Sequence, residues 1–572
     1  MPQTLDRILG TAGARPVTVP RGLSIGLAVS AVVVAVLVTA YAAADSATPI
    51  LWNDEIGYLS NAQILSGSGE PRDLSGRGYY YIGWSFLLVP LWWISSDPDT
   101  VYRLAVGLSA AASLATIVPL ALLGKRLGIN GWISIAAAAV IVMGPARTVQ
   151  GSLALAESFL TLLLALVAYG AVRFAQSPSI FHAAFVLFFS TWAFVTHGRM
   201  VAVLGAVAVW VAITRRRSWL STGLVLVASA ALSLGSFVLY RSLAERLYGA
   251  ESNRESVGLA RIFGIDPLAG AIAGAGQIWY LHIAWLGLAI AGVVLLVRSA
   301  VGEVRERRLG GAGWALITLV GVFGVSVAWI STRIGEGTAR LDMFTYGRYL
   351  DPITTVLAFL GLVWVLKGLT RRESVLVSSV QAGSVVLFGL FAVFAVERPL
   401  DLSWVPTSVA GLLAYSWPFV TAAAAPPWVL ASVVGLVVAG GFLVLRARAL
   451  ILVVAIAIAF SAMSIVAEVR TMHPFFASWY SSFTLREVIN ELDPQSISFD
   501  TAGLADLNDT VSQNAYQFWL APDALPVFDS TTDAPTTEYV IARKDWAGAA
   551  ELGAELVAED TGMFNNALWR LP

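Results

Sequence analysis

The chain contains no cysteine, only three lysines and only four histidines among its 572 residues. The first absence excludes disulfides, thiolate metal sites and cysteine nucleophiles. Charge is scarce as well: Asp, Glu, Lys and Arg make up 13% of the chain, and the formal net charge is −1, so bulk electrostatics imply neither nucleic acid nor an acidic polymer as partner. What fills the space is apolar. Hydrophobic residues reach 57%, and the mean hydropathy of +0.74 lies far from that of a soluble mixture. No internal repeat or low-complexity segment stands out beyond alanine-rich apolar runs.

A bilayer core of about 30 Å takes about 20 apolar residues per helix. The sequence offers about thirteen runs of that kind, near 23–44, 101–123, 131–146, 153–175, 181–196, 199–213, 219–240, 279–298, 312–332, 350–367, 375–396, 428–445 and 449–467. The expected class is an all-α polytopic membrane protein. The first run is too long for a cleaved signal peptide and is followed by no small-residue cleavage pattern and soluble domain. With Arg7, Arg15 and Arg21 inside, the other basic turns fall on the same side: Lys125-Arg126, Arg173, Arg215–Arg217, Arg298 with Arg305, Arg307 and Arg308, Lys367 with Arg371-Arg372, and Arg446 with Arg448. An odd number of spans then carries the tail outside. The expectation is a multi-pass plasma-membrane protein with a cytoplasmic N-terminus and an extracytoplasmic C-terminal domain.

Three long segments, about 45–100, 241–278 and 397–427, fall on the outer side, which makes that face the place to look for function. After about residue 470 the composition changes. A helix-like stretch, "SSFTLREVINEL", is followed by strand-like "SISFD", "EYVIARKD" and "ALWRLP", so residues 471–572 are expected to form a small α/β domain and residues 1–470 the membrane domain.

The first outer segment begins "ILWNDEIGYLSNAQIL" and places Asp54 and Glu55 at the mouth of a span; further on, "YIGWSFLLVPLWWI" is too short to cross and suits a helix lying in the interface. Charges at such places are costly, about 2.5–3.5 kcal/mol on insertion scales, and so point to function. Elsewhere the bland readings win. "SSDPDTVYRL" has the D-x-D form of nucleotide-sugar metal sites, but reads better as a helix start capped by Asp97 with Pro98 in the first turn. His182 and His282 read as core or interface histidines, and "GAIAGAGQ", 270–277, suits close helix approach or a loop near lipid, lacking the Lys and Ser/Thr of a P-loop.

Five separated stretches resemble the GT-C membrane glycosyltransferases that use polyprenyl-phosphate sugars, especially the lipid A aminoarabinose transferases and protein O-mannosyltransferases. "NDEIGYLSNAQIL" is similar to their first outer loop. "YIGWSFLLVPLWWI" with "DTVYRLAVGLSAAASLATIVPLALLGKRLG" resembles the interfacial helix and second span. "ALAESFLTLLLALVAYGAVRF" puts Glu157 at the place of a second membrane-mouth acid. "TWAFVTHGRMVAVL" places His197 and Arg199 where the family carries a cation, and "YGRYLDPITTVLAFLG" resembles a late Arg-Tyr-x-x-Pro element with Arg348, Tyr349 and Pro352. The tail is similar in general build to small outer domains of actinobacterial members. Arg stands where the aminoarabinose transferases have Lys, and Glu157 where many members have Asp, so the resemblance leaves the sugar open.

What it implies is an inverting transfer of a sugar, a pentose such as arabinose or else mannose, from a polyprenyl-phosphate donor to a cell-envelope glycan, glycolipid or protein. Such a reaction needs a base at the acceptor hydroxyl and positive charge at the departing phosphate. Asp54, with Glu55 beside it, is the candidate base. Arg348 and Arg199 are the candidates for the phosphate, with His197, Tyr346 and Tyr349 near them. Glu157 is open between positioning the acceptor, binding a divalent cation (Mg²⁺ or Mn²⁺) together with Asp54, and pairing Arg147 or Arg199; no cofactor is required by the pattern. Two other classes remain, a secondary transporter or lipid flippase and a catalytically silent scaffold. Against the transporter, no matched pair of broken helices is evident.

Overall fold

The computed structural model describes residues 19–71, 74, 80–248, 264–335, 340–396, 405–416, 428–445, 448–492, 496–502, 507–521, 523–561 and 564–572. Arg7, Arg15 and Arg446, and much of the second and third long outer segments, lie outside these residues.

The chain is a multi-pass membrane protein of α-helices with a five-stranded sheet near its C-terminus. Among the described residues seven helices are long and apolar enough to cross a membrane, or nine if each of two bent pairs is one span. The thirteen runs do not translate into thirteen such helices, for two reasons. Ile180–Thr196, Gly198–Thr214 and Trp428–Val444 are apolar but short, Asp351–Lys367 has only 17 residues, and two other runs are broken. Gly131–Val142 and Pro145–Gly151 meet at 69°, because the residue before a proline is pushed to extended backbone, and Gly144 has φ −63° and ψ 143°. Pro267–Ala284 and Leu288–Arg305 meet at 113°, through Leu286 and Gly287 at φ 46° and 77°. Broken helices, absent from the sequence reading, are therefore present. The stretch 270–277 is helical and not a loop, and the run expected at 279–298 contains the sharper bend.

The packing that fixes the later half is a contact of small residues. A Cβ on Gly292 would lie 1.9 Å from the Leu357 carbonyl oxygen, and one on Gly361 would lie 2.0 Å from that of Leu288, so Leu288–Arg305 and Asp351–Lys367 touch backbone to backbone. In lipid, where no hydrophobic effect drives helices together, such close approach supplies the packing energy. A cavity of about 240 Å³ lies alongside, walled by Val203, Val207, Trp210, Leu164, Val356 and Leu360.

"YIGWSFLLVPLWWI" forms the helix Ile82–Ile94, with Trp84 and Trp92 buried and Trp93 and Ile94 exposed. Asp97 caps Pro98–Ala115 by accepting from the Thr100 N–H at 2.9 Å, as the sequence suggests.

The last apolar helix, Ala449–Ala467, does not stop near residue 470. It runs through a π turn, Glu468–Met472, into His473–Tyr480. The helix Leu485–Leu492 and strands β1 (Ile497–Asp500), β2 (Val527–Phe528), β3 (Tyr539–Arg543), β4 (Glu555–Glu559) and β5 (Asn566–Arg570) follow, in the order β2-β1-β3-β5-β4. β1 pairs in parallel with β2 and β3, whereas β5 is antiparallel to both β3 and β4. Inside this unit burial pushes the Asp560 carboxyl above its usual range, against hydrogen bonds from the Tyr516 hydroxyl and the Leu485 N–H that favour the charged form.

Candidate active site

Asp54 and Glu55 open the helix Trp52–Ser66, where a carboxylate meets free N–H groups and the positive end of the helix dipole. The two acids diverge. Glu55 is fully buried; its Oε2 accepts from the Ile50 and Leu51 N–H groups and its Oε1 from the Ala154 N–H and the Tyr102 hydroxyl, all at 2.9 Å. Expected beside the base, Glu55 is instead consumed as framework. Four donors occupy it, and they tie the helix bearing Asp54 to the stretch that leads into Glu157.

Asp54 turns the other way, with its side chain 28% exposed. Its Oδ1 accepts a short hydrogen bond from the Tyr80 hydroxyl, and its Oδ2 lies 2.5 Å from Arg348 Nη1. The same guanidinium reaches Glu157, Nε to Oε1, at 2.7 Å. Glu157 starts its own helix, Glu157–Gln176, and is buried; its Oε2 has no hydrogen-bond partner among the described residues. Of the options open for Glu157, pairing holds, but the partner is Arg348 rather than Arg147 or Arg199. Arg348 also joins Asp54 and Glu157 through one cation, so its guanidinium stands where a bridging Mg²⁺ or Mn²⁺ would have to sit; the two acids do not fit a shared metal. Among the described residues no group of three or more His, Cys, Asp or Glu side chains is arranged to hold one.

Arg348 is held from behind. Its N–H and that of Gly347 both donate to the Ser408 carbonyl, at 3.1 and 2.9 Å, and a Cβ on Gly347 would collide with the Tyr280 ring at 1.9 Å. Below it, Asp351 Oδ2 accepts from Gln150 Nε2 at 2.9 Å and from the Tyr280 hydroxyl at 3.1 Å. Arg147, fully buried, donates to Gln150 Oε1 at 2.8 Å and to Thr161 Oγ1 at 2.7 Å, and Thr161 in turn donates to the Glu157 carbonyl at 2.8 Å. This polar chain links the two backbones that carry Glu157 and Arg348.

Arg199 is the contrasting cation. It lies in the short turn Gly198–Met200 with its guanidinium carbon 4.6 Å from the centre of the Tyr349 ring, and none of its three side-chain nitrogens has a hydrogen-bond partner among the described residues. His197 Nδ1 accepts from the Arg199 N–H at 3.4 Å, and its ring meets that of Tyr349 edge-on at 6.3 Å. Tyr346 is buried against Tyr349, ring centres 4.7 Å apart. Asp54, Tyr80, Glu157 and Arg348 are thus brought together, with Arg199, His197, Tyr346 and Tyr349 on the adjoining wall.

Two participants escape sequence reasoning. Tyr80 lies in "GYYYIG", where three tyrosines in a row read as interfacial aromatics. Asp351 lies inside the Arg-Tyr-x-x-Pro element at one of its unspecified positions. Their partners lie 26 and 71 or more residues away, so no local pattern announces them.

The chain has the fold of ArnT. It matches the crystal structure of ArnT from Cupriavidus metallidurans bound to undecaprenyl phosphate with a TM-score of 0.55, at 16% identity, over 95% of this chain and 98% of that one. The apo structure of the same ArnT matches at 0.51, again at 16% identity, over 95% and 97%. No family model matches the sequence, and no curated protein does.

Helix Leu507–Trp519 of the C-terminal unit packs on Trp52–Ser66, and Asn514 Nδ2 donates to Asn53 Oδ1 at 2.6 Å. Asn53 directly precedes Asp54. Arg486, stacked on Tyr480 and Trp519, reaches Asp99 at 3.4 Å.

Proposed function

We propose that this protein is a GT-C type glycosyltransferase that transfers a sugar from a polyprenyl-phosphate donor to an acceptor on the outer face of the plasma membrane, inverting the anomeric centre. The observation that carries the reading is the buried Arg199 guanidinium, without a hydrogen bond among the described residues, beside a second arginine, Arg348, that is already engaged by two acids. A buried cation without hydrogen bonds is costly. An incoming phosphate supplies the missing acceptors, and arginine's planar fork matches two phosphate oxygens. The ArnT fold, seen in one of its structures with undecaprenyl phosphate, supports this choice of ligand.

The apolar cavity is walled in part by helix Val201–Thr214, which follows Arg199, and by Asp351–Lys367, which follows Arg348. A polyprenyl chain laid there leaves its phosphate at the helix ends that carry the two arginines. Asp54, partly exposed and hydrogen-bonded by Tyr80, takes the proton of the acceptor hydroxyl. The acceptor oxygen then forms its bond to the anomeric carbon while the bond from that carbon to the phosphate oxygen breaks, the electron pair leaving with the phosphate, where Arg199 and Arg348 offset the growing charge. A single displacement inverts the centre. Glu157 holds Arg348 in place. The sugar is a pentose such as arabinose, or mannose, and the acceptor a cell-envelope glycan, glycolipid or protein; the C-terminal unit, residues 471–572, lies outside with the acceptor, and the N-terminus lies inside.

The two bent helix pairs are what a secondary transporter or flippase would use. The bends carry none of Asp54, Glu157, Arg199 or Arg348, and this favours the transferase. Mass spectrometry of lipid that co-purifies with the protein tests the reading: a polyprenyl-phosphate sugar or polyprenyl phosphate is expected, whereas donor left unconsumed when supplied with envelope acceptors, together with facilitated lipid flux in vesicles, would replace the transferase by the flippase.

A further inference from the structure

Where the last apolar helix ends, the five-residue π turn Glu468–Met472 interrupts the helical path. Such turns recur at functional sites. Glu468 is fully buried, and neither of its carboxylate oxygens has a hydrogen-bond partner among the described residues. His473 faces it. The imidazole Nδ1 lies 2.9 Å from Asp45 Oδ2, just beyond the first apolar helix Arg21–Ala44, while Nε2 lies 3.8 Å from Glu468 Oε2 and is itself buried without a hydrogen bond. Thr471 Oγ1, in the same turn, and Ser46 Oγ, next to Asp45, are also buried without a hydrogen bond among the described residues.

The Asp45 contact decides the chemistry of the imidazole. Nδ1 carries the hydrogen that Asp45 accepts, so in the neutral ring the lone pair sits on Nε2, facing a carboxylate oxygen. With the ring neutral and Glu468 ionised, two lone-pair atoms confront each other at 3.8 Å, too long for a hydrogen bond, in a place where an uncompensated carboxylate is expensive. That gap suits a metal ion. With about 2.0–2.1 Å to an imidazole nitrogen and about 2.0–2.2 Å to a carboxylate oxygen, two ligands on one zinc-type ion stand roughly 3.3–3.8 Å apart. A carboxylate on the far ring nitrogen is the usual support of a metal-bound histidine.

We propose that Glu468 and His473 bind a divalent cation of the zinc class, with Asp45 orienting the imidazole and water completing the coordination. It differs from a closed structural site in having two strong protein ligands. The side chains of His473 and Asp45 are 14% and 62% exposed, which leaves a way in from the aqueous side. The ion would clip the end of the first span to the end of the last, directly before the C-terminal unit, and take no part in the transfer.

The test uses the full-length protein, purified with its affinity tag removed, stripped with chelator and titrated with Zn²⁺, with bound metal and melting temperature both measured. Saturation near one zinc per chain with a rise in melting temperature is expected. Both should disappear in His473→Gln and Glu468→Gln, persist in Asp54→Asn, and shift to about 10- to 100-fold higher zinc in Asp45→Asn. No saturable binding to the wild-type protein would overturn the site, a result that does not depend on any variant folding. So would binding unchanged in His473→Gln, or stabilisation by acid alone, which would mean that a proton and not a metal fills the gap.

Discussion

Arg348 joins Asp54 and Glu157, with Nη1 2.5 Å from the first and Nε 2.7 Å from the second, across 294 and 191 residues of sequence. One guanidinium thus serves an acid that is partly open to water and an acid that is not. On the proposed mechanism this difference in exposure assigns the acceptor to Asp54 and the positioning of the arginine to Glu157.

Replacing Asp54 by Asn keeps the shape of the side chain and removes its ability to take a proton. Turnover should fall by about 10²-fold or more with donor binding retained. A purified Asp54→Asn enzyme with near wild-type turnover would remove this residue from the mechanism.

The arginines should separate by chemistry. Arg348→Lys keeps one charge but cannot span both acids and a phosphate, so both donor affinity and rate should drop. Arg199→Met removes a buried charge that rests on the Tyr349 ring and has no hydrogen bond among the described residues. It should be tolerated by the fold, even stabilise it, while donor binding weakens by about 1.5–3 kcal/mol, the worth of hydrogen bonds to a charged group. Unchanged donor affinity in both variants would leave the phosphate assignment without support.

Glu55→Gln makes the opposite cut. A single amide oxygen cannot satisfy the four donors that Glu55 now accepts, and each buried donor left unpaired costs about 1–3 kcal/mol. Melting temperature and yield should fall, whereas the rate per folded molecule should hold within a few-fold. Loss of rate at full stability would return Glu55 to the catalytic group.

The Asn514–Asn53 contact places the C-terminal unit against the residue before Asp54. Asn514→Ala should raise the acceptor concentration needed for half-maximal rate and leave donor affinity unchanged, since a lipid-borne donor arrives from the bilayer. An effect on donor affinity alone would contradict the geometry.

Much of this was legible in the chain itself. Hydropathy determines the membrane class because only long apolar helices satisfy their backbones in lipid, and the alternating stretches of the tail announce β1, β3 and β5 because strand periodicity is local. The stations of Asp54, Glu157, Arg199 and Arg348 were legible for a related reason: each stands at the end of an apolar run, and a charge retained there is conspicuous. Partnership was not. That Asp54 and Glu157 share Arg348, that Glu55 accepts from the Ala154 and Tyr102 groups, that Arg147 goes to Gln150 and Thr161, and that Arg199 meets the Tyr349 ring are decided by which helix ends meet. Those meetings depend on bends at Gly144 and Gly287 and on backbone contact at Gly292 and Gly361. Such features come from packing between segments far apart in sequence, and a periodicity read along one segment carries no information about them.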